Sequence, residues 1–312
     1  MRAVFLDAST LGNDVDLAPI ERVAGDVMKH GATTSAQVTE RIRGFDTVLV
    51  NKVMLTRKHF ESCPELKAIA VVATGLNNVD LDAAREHGIQ VLNVTNYGRS
   101  TVAQHTMALM LALATRLLDY DRDVRAGRWA QSDMFCLMDH PIMELEGRTL
   151  GILGYGDLGQ GVAERAKAFG MNILLGAPPG QSAGETDGYA RLPLEELLPK
   201  VDVLSLHCLL TDETRNLIGA RELQMMKPDA LVINTSRGGL VDEEALAHAL
   251  RNRVIGGAGF DVLTEEPPRN GNPLLAGDIP NLIITPHSAW ASREARQRIV
   301  DITAQNLASI SG

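Results

Sequence analysis

The sequence has no long apolar run. Its longest apolar stretch, around Thr106–Thr115, spans ten residues before Arg116, whereas a helix needs about 20 residues to cross a bilayer. The apolar run near the N-terminus is short and is interrupted by Asp7, which is not the pattern of a signal peptide. We therefore expect neither a membrane span nor secretion.

Cysteine is scarce, and basic residues are outnumbered. Cys63, Cys136 and Cys208 are far apart and form no C-x-x-C pair, so no disulfide framework and no metal site are predicted, and a reducing cytoplasm is the expected location. The 30 Lys and Arg against 39 Asp and Glu give a net charge of −9, which argues against a nucleic-acid partner.

The remaining composition is that of a globular protein. At 312 residues, with 45% hydrophobic and 22% charged residues, the chain is long enough for about two domains. Short apolar runs rich in Val, Ile and Leu alternate with amphipathic stretches, which predicts an α/β fold with parallel sheets. The predicted strands are 3–7, 47–50, 67–73, 90–94, 149–153, 172–175, 202–206, 230–234, 255–260 and 281–285.

Two segments near the middle of the chain differ from this alternation. Residues 100–116 are apolar nearly all round, which predicts a helix buried between larger bodies. Residues 129–146 (WAQSDMFCLMDHPIMELE) have no clean periodicity and are interpreted as an irregular arm. Because an exposed arm with these apolar residues would leave an apolar patch, a partner subunit is expected to cover it. The alternative is a loop folded over the chain's own core.

A glycine-rich motif follows the strand at 149–153. Gly154, Gly156 and Gly159 form G-x-G-x-x-G between that strand and a helical pattern at 158–169. In this context the motif predicts a dinucleotide site, in which the pyrophosphate lies at the helix N-terminus. The acid that usually binds the adenosine ribose is missing, since Ala177 stands at its position in LLGAPPG, and no Arg or Lys stands in this turn.

Three ionisable residues follow the ends of predicted strands: Arg237 in NTSRGG, Glu266 in LTEEPP and His287 in TPHSAW. Ligands of open parallel sheets bind at the carboxyl ends of strands. A guanidinium that holds a carboxylate, an imidazole that delivers a proton and a carboxylate that orients the imidazole would suit reduction of a 2-oxo acid.

Spacing alone leaves other interpretations of these residues open. Arg237 could form a surface pair or cap a helix, Glu266 could be a solvated loop residue, and His287 could satisfy a backbone carbonyl. Among the remaining histidines, His105 is expected to be a satisfied core residue, whereas His207 ends a strand and is predicted to border the cofactor.

Several motifs resemble those of the D-isomer-specific 2-hydroxyacid dehydrogenase family over almost the whole chain, most of all its glycerate dehydrogenase/hydroxypyruvate reductase branch. They are ATGLNNVD (73–80), STVAQHT (100–106), GYGDLG (154–159), INTSRGGLVDEEAL (233–246), FDVLTEEP (260–267) and TPHSAWAS (285–292). The resemblance implies that Arg237 binds substrate, Glu266 orients the base and His287 is the acid/base.

The resemblance also implies the layout of the chain. A Rossmann-like dinucleotide domain, residues 99–286, would be inserted into a discontinuous, flavodoxin-like substrate domain formed by residues 1–98 and 287–312. The protein is expected to form homodimers through its cofactor domains, with the arm at the interface.

Further binding residues are implied in the same way. The substrate carboxylate would be held by backbone N–H groups of Thr74, Gly75 and Leu76. Asp157 and Leu158 would flank the pyrophosphate, and Thr101, Thr235 and Asp261 would lie near the nicotinamide.

Two departures from the family pattern bear on the cofactor. Ala177 replaces the usual acid, and Leu209 stands where related chains often carry Pro. Either NAD or NADP is therefore expected as cofactor, with a preference for NAD because no cation is evident in the turn. The predicted reaction is reduction of a small 2-oxo acid, hydroxypyruvate or glyoxylate, to the D-2-hydroxy acid. The alternative is a dinucleotide-sensing, corepressor-like interaction protein on the same fold.

Overall fold

The computed structural model describes residues 1–310, which form two compact units. The first unit comprises Met1–Gly98 and the chain from Ala291 onward, and the second comprises Arg99–Trp290. The predicted second boundary lies before His287. Residues 287–290 lie instead in the second unit, because the Asp261 carboxylate accepts hydrogen bonds from the backbone N–H groups of Ser288 and Ala289 at 2.9 and 2.8 Å.

The first unit is built on a five-stranded parallel sheet with flanking helices. Its strands are β1 (Ala3–Phe5), β2 (Val27–Lys29), β3 (Thr47–Val50), β4 (Ala68–Val71) and β5 (Gln90–Asn93). Its helices are α1 (Ala18–Ala24), α2 (Val38–Ile42), α3 (Arg57–Ser62), α4 (Leu81–Glu86) and, at the end of the chain, the helix Arg293–Ile310. The strand order β2-β1-β3-β4-β5 is that of flavodoxin-like folds, as predicted.

The second unit is built on an eight-stranded sheet. Its strands are β6 (Thr149–Leu153), β7 (Asn172–Ala177), β8 (Gly184–Thr186), β9 (Tyr189–Pro193), β10 (Val203–Leu206), β11 (Leu231–Asn234), β12 (Gly257–Phe260) and β13 (Leu282–Ile284). Its helices are α5 (Arg99–Ala114), α6 (Leu117–Arg125), α7 (Asp157–Ala168), α8 (Leu194–Leu197), α9 (Ala220–Met225) and α10 (Glu243–Arg251). The C-terminal helix of the first unit, Arg293–Ile310, is α11. Short 3-10 helices cover Ala8–Leu11, Ser35–Gln37, Trp129–Gln131, Gly238–Leu240 and Pro273–Leu275.

The order of the second sheet is β13-β12-β11-β10-β6-β7-β9-β8. All neighbours are parallel except β8, which runs antiparallel to β9 at the edge. Counting from β6, the parallel strands follow the 3-2-1-4-5-6 order of dinucleotide-binding folds. The strand order reverses between β6 and β10, and this is where the glycine-rich turn lies. The predicted Rossmann-like fold is confirmed.

Strands in the middle of both sheets are buried on both faces. Every residue of β3, β4, β10 and β11 is buried, and these strands consist mainly of Val, Ile and Leu. This is the environment that continuous apolar runs indicate. All ten predicted strands are present, two of them with the predicted ends and the others with ends that differ by at most two residues, whereas β2, β8 and β9 were not predicted.

The predicted helix at 100–116 is α5, which begins and ends one to two residues earlier than expected. Met107, Met110 and Leu113 of α5 lie in one apolar core with Ile152 of β6 and Ile233 of β11. Within residues 1–310, no helix has both the length and the apolar character that crossing a membrane requires.

The predicted arm is irregular and exposed. After a 3-10 turn at Trp129–Gln131, residues 132–148 contain no helix or strand. Phe135 is 89% exposed, Met138 79% and Ile142 64%. These apolar side chains have no cover within the described chain, whereas Met143 and Leu145, at the end of the arm, pack against the core of the second unit.

Candidate active site

The glycine-rich turn joins β6 to α7 in the way that a bound diphosphate requires. Gly154 has φ of +95°, and a Cβ there would lie 2.4 Å from the backbone nitrogen of Cys208. A Cβ on Gly159 would lie 2.2 Å from the carbonyl oxygen of Gly154, so this glycine allows α7 to approach β6 closely. A Cβ on Gly156 would meet nothing within 4 Å. The motif therefore leaves open space beside Gly156.

The N-terminus of α7 borders that space. Asp157, Leu158 and Gly159 begin the helix, and the first N–H groups of a helix have no acceptor within it. These donors and the open space fit a pyrophosphate group. The Asp157 carboxylate is paired with Arg99, whose Nη1 lies 3.2 Å away. Arg99 Nη2 also lies 3.4 Å from Glu164, so the negative charge beside the phosphate space is partly offset.

The turn after β7 is where the sequence predicts the adenosine of the cofactor. Ala177 is the last residue of β7 and is followed by Pro178, Pro179 and Gly180. None of these four residues carries a charge. The turn itself therefore offers no carboxylate to a ribose hydroxyl and no cation to a 2′-phosphate.

His207 follows β10, and its backbone lies against the glycine-rich turn. The backbone carbon of His207 would lie 2.5 Å from a Cβ on Gly154. Its Nε2 is 2.8 Å from Ser205 Oγ, and its buried Nδ1 has no hydrogen-bond partner among the described residues. Burial lowers the pKa of His207 to about 4. The ring is therefore neutral at neutral pH and borders the turn that the dinucleotide motif forms.

Arg237, Glu266 and His287 follow three neighbouring strands, β11, β12 and β13. The Arg237 guanidinium is exposed and donates only to the carbonyl oxygen of Ser236, at 2.8 Å. It forms no ion pair within the part of the chain that the structure describes. A Cβ on Gly238 would lie 2.0 Å from the backbone carbon of Leu263. The S-R-G-G turn thus packs against the loop that carries Glu266, and glycine is needed for this approach.

Glu266 and His287 form a hydrogen-bonded pair. Glu266 Oε2 lies 2.5 Å from His287 Nδ1, and Glu266 Oε1 accepts the backbone N–H of Leu263 at 2.8 Å. The two side chains are 32% and 33% exposed. Burial alone would raise the pKa of Glu266, but the hydrogen bonds from His287 and Leu263 and the charges of His287 and Arg237 lower it below its ordinary value. Glu266 is therefore an ionised acceptor, and His287 Nε2 is left available.

The backbone at His287 is held in an uncommon conformation. His287 has φ of +53°, a region that non-glycine residues adopt rarely. Its N–H donates to the carbonyl oxygen of Asp261 at 2.8 Å. The Asp261 carboxylate is 1% exposed and also accepts the Thr285 hydroxyl at 2.5 Å, in addition to Ser288 and Ala289. Asp261 thus fixes the loop that presents His287.

Thr101 and Thr235, which are also predicted to lie near the nicotinamide, form hydrogen bonds within the second unit. Thr101 Oγ1 donates to the carbonyl oxygen of Ala289 at 2.9 Å, and Thr235 Oγ1 lies 3.0 Å from Thr106 Oγ1. His105 Nε2 lies 2.9 Å from Thr285 Oγ1, so this histidine is satisfied by the protein, as predicted. These contacts tie α5 to the loops at the ends of β11 and β13.

The turn predicted to bind the substrate carboxylate lies in the first unit, after β4. Thr74 Oγ1 donates to the carbonyl oxygen of Val94 at 2.8 Å, and the Thr74 carbonyl accepts Asn93 Nδ2 at 2.7 Å. Among the hydrogen bonds of residues 1–310, none uses the backbone N–H groups of Thr74, Gly75 or Leu76. These groups are available to an anion.

Sequence reasoning missed Arg99, Thr285 and Ser236 as supporting residues. Thr285 binds Asp261, and Ser236 Oγ donates to the carbonyl oxygen of Cys208 at 2.9 Å. Arg99 adjoins a motif that was singled out, and Thr285 and Ser236 lie within such motifs. Their partners, however, come from distant parts of the chain, and no local pattern reveals them.

Comparison with known proteins identifies the family. The profile of the D-isomer specific 2-hydroxyacid dehydrogenase NAD-binding domain matches residues 107–289. The chain is 46% identical to a glycerate dehydrogenase of Methylorubrum extorquens over 88% of this chain and 85% of that protein. This chain belongs to the D-isomer specific 2-hydroxyacid dehydrogenase family. Family membership confirms the predicted enzyme class, an NAD(P)-dependent dehydrogenase with a nicotinamide dinucleotide as cofactor.

Solved structures agree with this assignment. The TT0316 protein from Thermus thermophilus superimposes with a TM-score of 0.86 at 34% identity, covering 100% of this chain and 97% of that one. An NADPH-dependent glyoxylate/hydroxypyruvate reductase from Sinorhizobium meliloti, solved with citrate, gives a TM-score of 0.83 at 28% identity and covers 100% and 95%. The family fold extends over the whole chain.

Proposed function

We propose that the protein reduces hydroxypyruvate or glyoxylate to the corresponding D-2-hydroxy acid. The observation that carries this proposal is the pair formed by Glu266 and His287 at 2.5 Å, together with the guanidinium of Arg237, which forms no ion pair with any residue that the structure describes. The names of the relatives, a glycerate dehydrogenase and a glyoxylate/hydroxypyruvate reductase, support the substrate class.

Arg237 binds the substrate in this proposal. A guanidinium presents two parallel N–H donors, which match the carboxylate and carbonyl oxygens of a 2-oxo acid. Because Arg237 donates only to the carbonyl oxygen of Ser236, it can bind this anion without breaking an ion pair. Its charge also polarises the substrate carbonyl toward the alkoxide.

His287 donates the proton. Glu266 occupies Nδ1, which leaves Nε2 to carry a proton toward the substrate oxygen. The Glu266 carboxylate stabilises the protonated ring and fixes its orientation, and Asp261 fixes the backbone from which the ring extends. When bound, a reduced nicotinamide dinucleotide would supply the hydride for this reduction.

The dinucleotide is assigned to the second unit. Gly154, Gly156 and the N-terminus of α7 would hold its pyrophosphate, and Thr101, Thr235 and Asp261 would border its nicotinamide half. The first unit is assigned to the substrate, with the free N–H groups of Thr74, Gly75 and Leu76 supporting its predicted role in anion binding.

The test is a substrate panel. Hydroxypyruvate, glyoxylate, pyruvate and a bulky 2-oxo acid are mixed with NADH or NADPH, the loss of reduced nicotinamide is followed by absorbance, and the product is analysed for chirality. We expect the highest kcat/KM for the two small polar acids and a D product. Absence of turnover with all four acids would refute the proposal. Arg237→Gln should raise KM for the acid, whereas Arg269→Gln, in an exposed loop nearby, serves as the control.

We further infer that the protein is a cytoplasmic homodimer. The three cysteines are free thiols, as a reducing compartment allows. The exposed apolar residues of the arm are a surface that a second copy of the chain would cover.

A further inference from the structure

An unpaired arginine lies on the strand next to the adenosine turn. Arg191 belongs to β9 and is opposite Leu175 of β7. It is half-buried, and its Nε is buried without a hydrogen-bond partner. Its guanidinium makes no hydrogen bond or ion pair to any residue that the structure describes. Its Nε is therefore removed from water without an acceptor, and the charge of the guanidinium is not balanced by any described carboxylate in contact with it.

The register of the sheet places Arg191 on the same face as Ala177. Opposite residues of parallel strands point to the same side, and residues two apart on one strand also share a face. Arg191 is opposite Leu175, and Ala177 is two residues beyond Leu175. The cores confirm this assignment, because Leu175 and Tyr189 pack in one core whereas Leu174 and Leu192 pack in the other. From the strand spacings, the Cα atoms of Arg191 and Ala177 are about 8 Å apart, which an arginine side chain can span.

The other cations on this face are already engaged. Arg99 is paired with Asp157 and Glu164. Lys167 lies 5.5 Å from the centroid of the Tyr189 ring and is near the C-terminal end of α7, away from the phosphate end of the helix. Among the residues that the structure describes, Arg191 is thus a cation on this face of the sheet that no contact engages and that an anion at the end of β7 could bind.

We propose that Arg191 receives the 2′-phosphate of NADP and so determines whether the enzyme accepts this cofactor. The inference rests on the dinucleotide site of the proposed function. Ala177 leaves room where other members carry an acid that repels this phosphate. The bidentate N–H donors of the guanidinium match a phosphate monoester. The turn after β7 itself carries no cation, and Arg191 comes 14 residues after Ala177 in the chain.

The test compares two ligands that differ only in the 2′-phosphate. Affinities of the full-length protein for adenosine 2′,5′-bisphosphate and for 5′-AMP are measured by calorimetry. In the wild type we expect the bisphosphate to bind at least tenfold more tightly. In Arg191→Gln this ratio should fall to about one while the affinity for 5′-AMP stays the same. Arg165→Gln, which removes the same charge from α7 in the same unit, should keep the wild-type ratio.

Two further measurements keep the outcome decisive. Arg191→Lys keeps the charge but loses the bidentate geometry, so an intermediate ratio is expected, and this variant replaces Arg191→Gln if that protein does not fold. In the wild type the ratio should fall as salt is raised, because it depends on a charge pair. A ratio in folded Arg191→Gln equal to that of the wild type would overturn the proposal. Reduction of hydroxypyruvate with NADH would continue in that case, so the proposed function would remain intact.

Discussion

His287 is the residue on which the proposed proton transfer depends most directly. Replacing it with Ala removes the donor and leaves the glycine-rich turn unchanged. We expect kcat to fall by about 10²-fold or more, the usual scale of general acid catalysis, with the affinity for NADH little changed. Steady-state kinetics and a fluorescence titration of NADH measure the two quantities. A His287→Ala enzyme that keeps most of its turnover would contradict the assignment.

The ionisation of Glu266 makes its pair with His287 depend on pH. Its pKa is lowered, because the bonds from His287 and Leu263 and the nearby charges outweigh burial. Its contribution to stability is therefore complete above the ordinary pKa of 4.5 and is lost as the pH falls through the lowered value. At neutral pH the carboxylate is available to stabilise a protonated imidazole.

The Glu266→Gln variant tests this pairing. In the proposed step His287 donates a proton, and the Glu266 carboxylate offsets the positive charge of the ring that carries it, which the neutral amide of Gln does not. The rate of reduction should therefore begin to decline at a lower pH than in the wild type as the solution is made more alkaline. A pH profile of kcat/KM measures this shift, and Glu265→Gln, the exposed neighbour, is the control. Superimposable profiles for wild type and Glu266→Gln would argue against the pair.

A substitution at Ala177 tests whether the turn after β7 binds the adenosine. Ala177→Asp supplies the acid that usually binds the ribose hydroxyls and repels a 2′-phosphate. We expect the preference for NADH over NADPH to increase by roughly 1–3 kcal/mol if one charge-assisted hydrogen bond is gained. The ratio of kcat/KM for the two cofactors, in wild type and variant, decides this. An unchanged ratio would mean that the 2′ position lies elsewhere.

At the scale of elements, continuous apolar runs were sufficient to predict the central strands. Strands such as LVIN (β11) and TVLV (β3) are buried at every position, and burial on both faces requires apolar residues throughout. The missed strands lack this pattern. In β2 only Val27 is buried, β8 (GET) has no buried residue, and β9 (YARLP) ends in proline. β2 and β8 are edge strands and β9 lies next to an edge, so these strands depend on pairing that the sequence of the segment itself does not show.

For the candidate site, the residues at strand ends could be predicted from the sequence, but the contacts between them could not. Residues after strand ends could be found because parallel strands bring their carboxyl ends to one edge. The hydrogen bond between Glu266 and His287 could not be derived from spacing. It depends on the conformation of the loop after β13, which is fixed by hydrogen bonds to the Asp261 carboxylate. Arg191 was missed because its strand was missed.

The turn between β6 and α7 yields a prediction that separates cofactor binding from folding. A Cβ on Gly156 would meet nothing within 4 Å, and φ is −84°, which alanine adopts readily. Gly156→Ala should therefore leave the free energy of unfolding unchanged or raise it by about 0.4–1 kcal/mol. The methyl group would occupy the space assigned to the pyrophosphate, so the affinity for NADH should fall about tenfold or more, which corresponds to about 1.4 kcal/mol.

Urea unfolding and calorimetric titration of NADH measure these two effects. Gly277→Ala is the matched control, because a Cβ there also meets nothing within 4 Å but lies outside the glycine-rich turn. If Gly156→Ala bound NADH as tightly as the wild type, the pyrophosphate would have to lie elsewhere.

At the scale of the whole molecule, the arm is the segment whose apolar side chains a single chain leaves exposed. Phe135, Met138 and Ile142 are between 64% and 89% exposed within one irregular segment. Soluble monomers rarely expose contiguous apolar patches of this kind, and the net charge of −9 would oppose association unless an apolar surface favoured it. Dimerisation through the arms would bury these side chains, and a stable interface of this type covers about 1,200–2,000 Å² in total.

We therefore expect the wild type to be a dimer at micromolar concentration, as measured by light scattering after size exclusion. The double variant Phe135→Asp/Met138→Asp places two charges in the proposed interface, and it should dissociate to monomers because buried unpaired charges cost several kcal/mol. Met28→Asp, at a residue that is 52% exposed in the first unit, should remain dimeric. The free monomer would expose the arm fully, so the double variant should also unfold at a lower temperature than the wild type, with a midpoint that no longer rises with protein concentration. A wild type that is monomeric and fully active at this concentration would rule out the homodimer and would require that the apolar arm serve another partner.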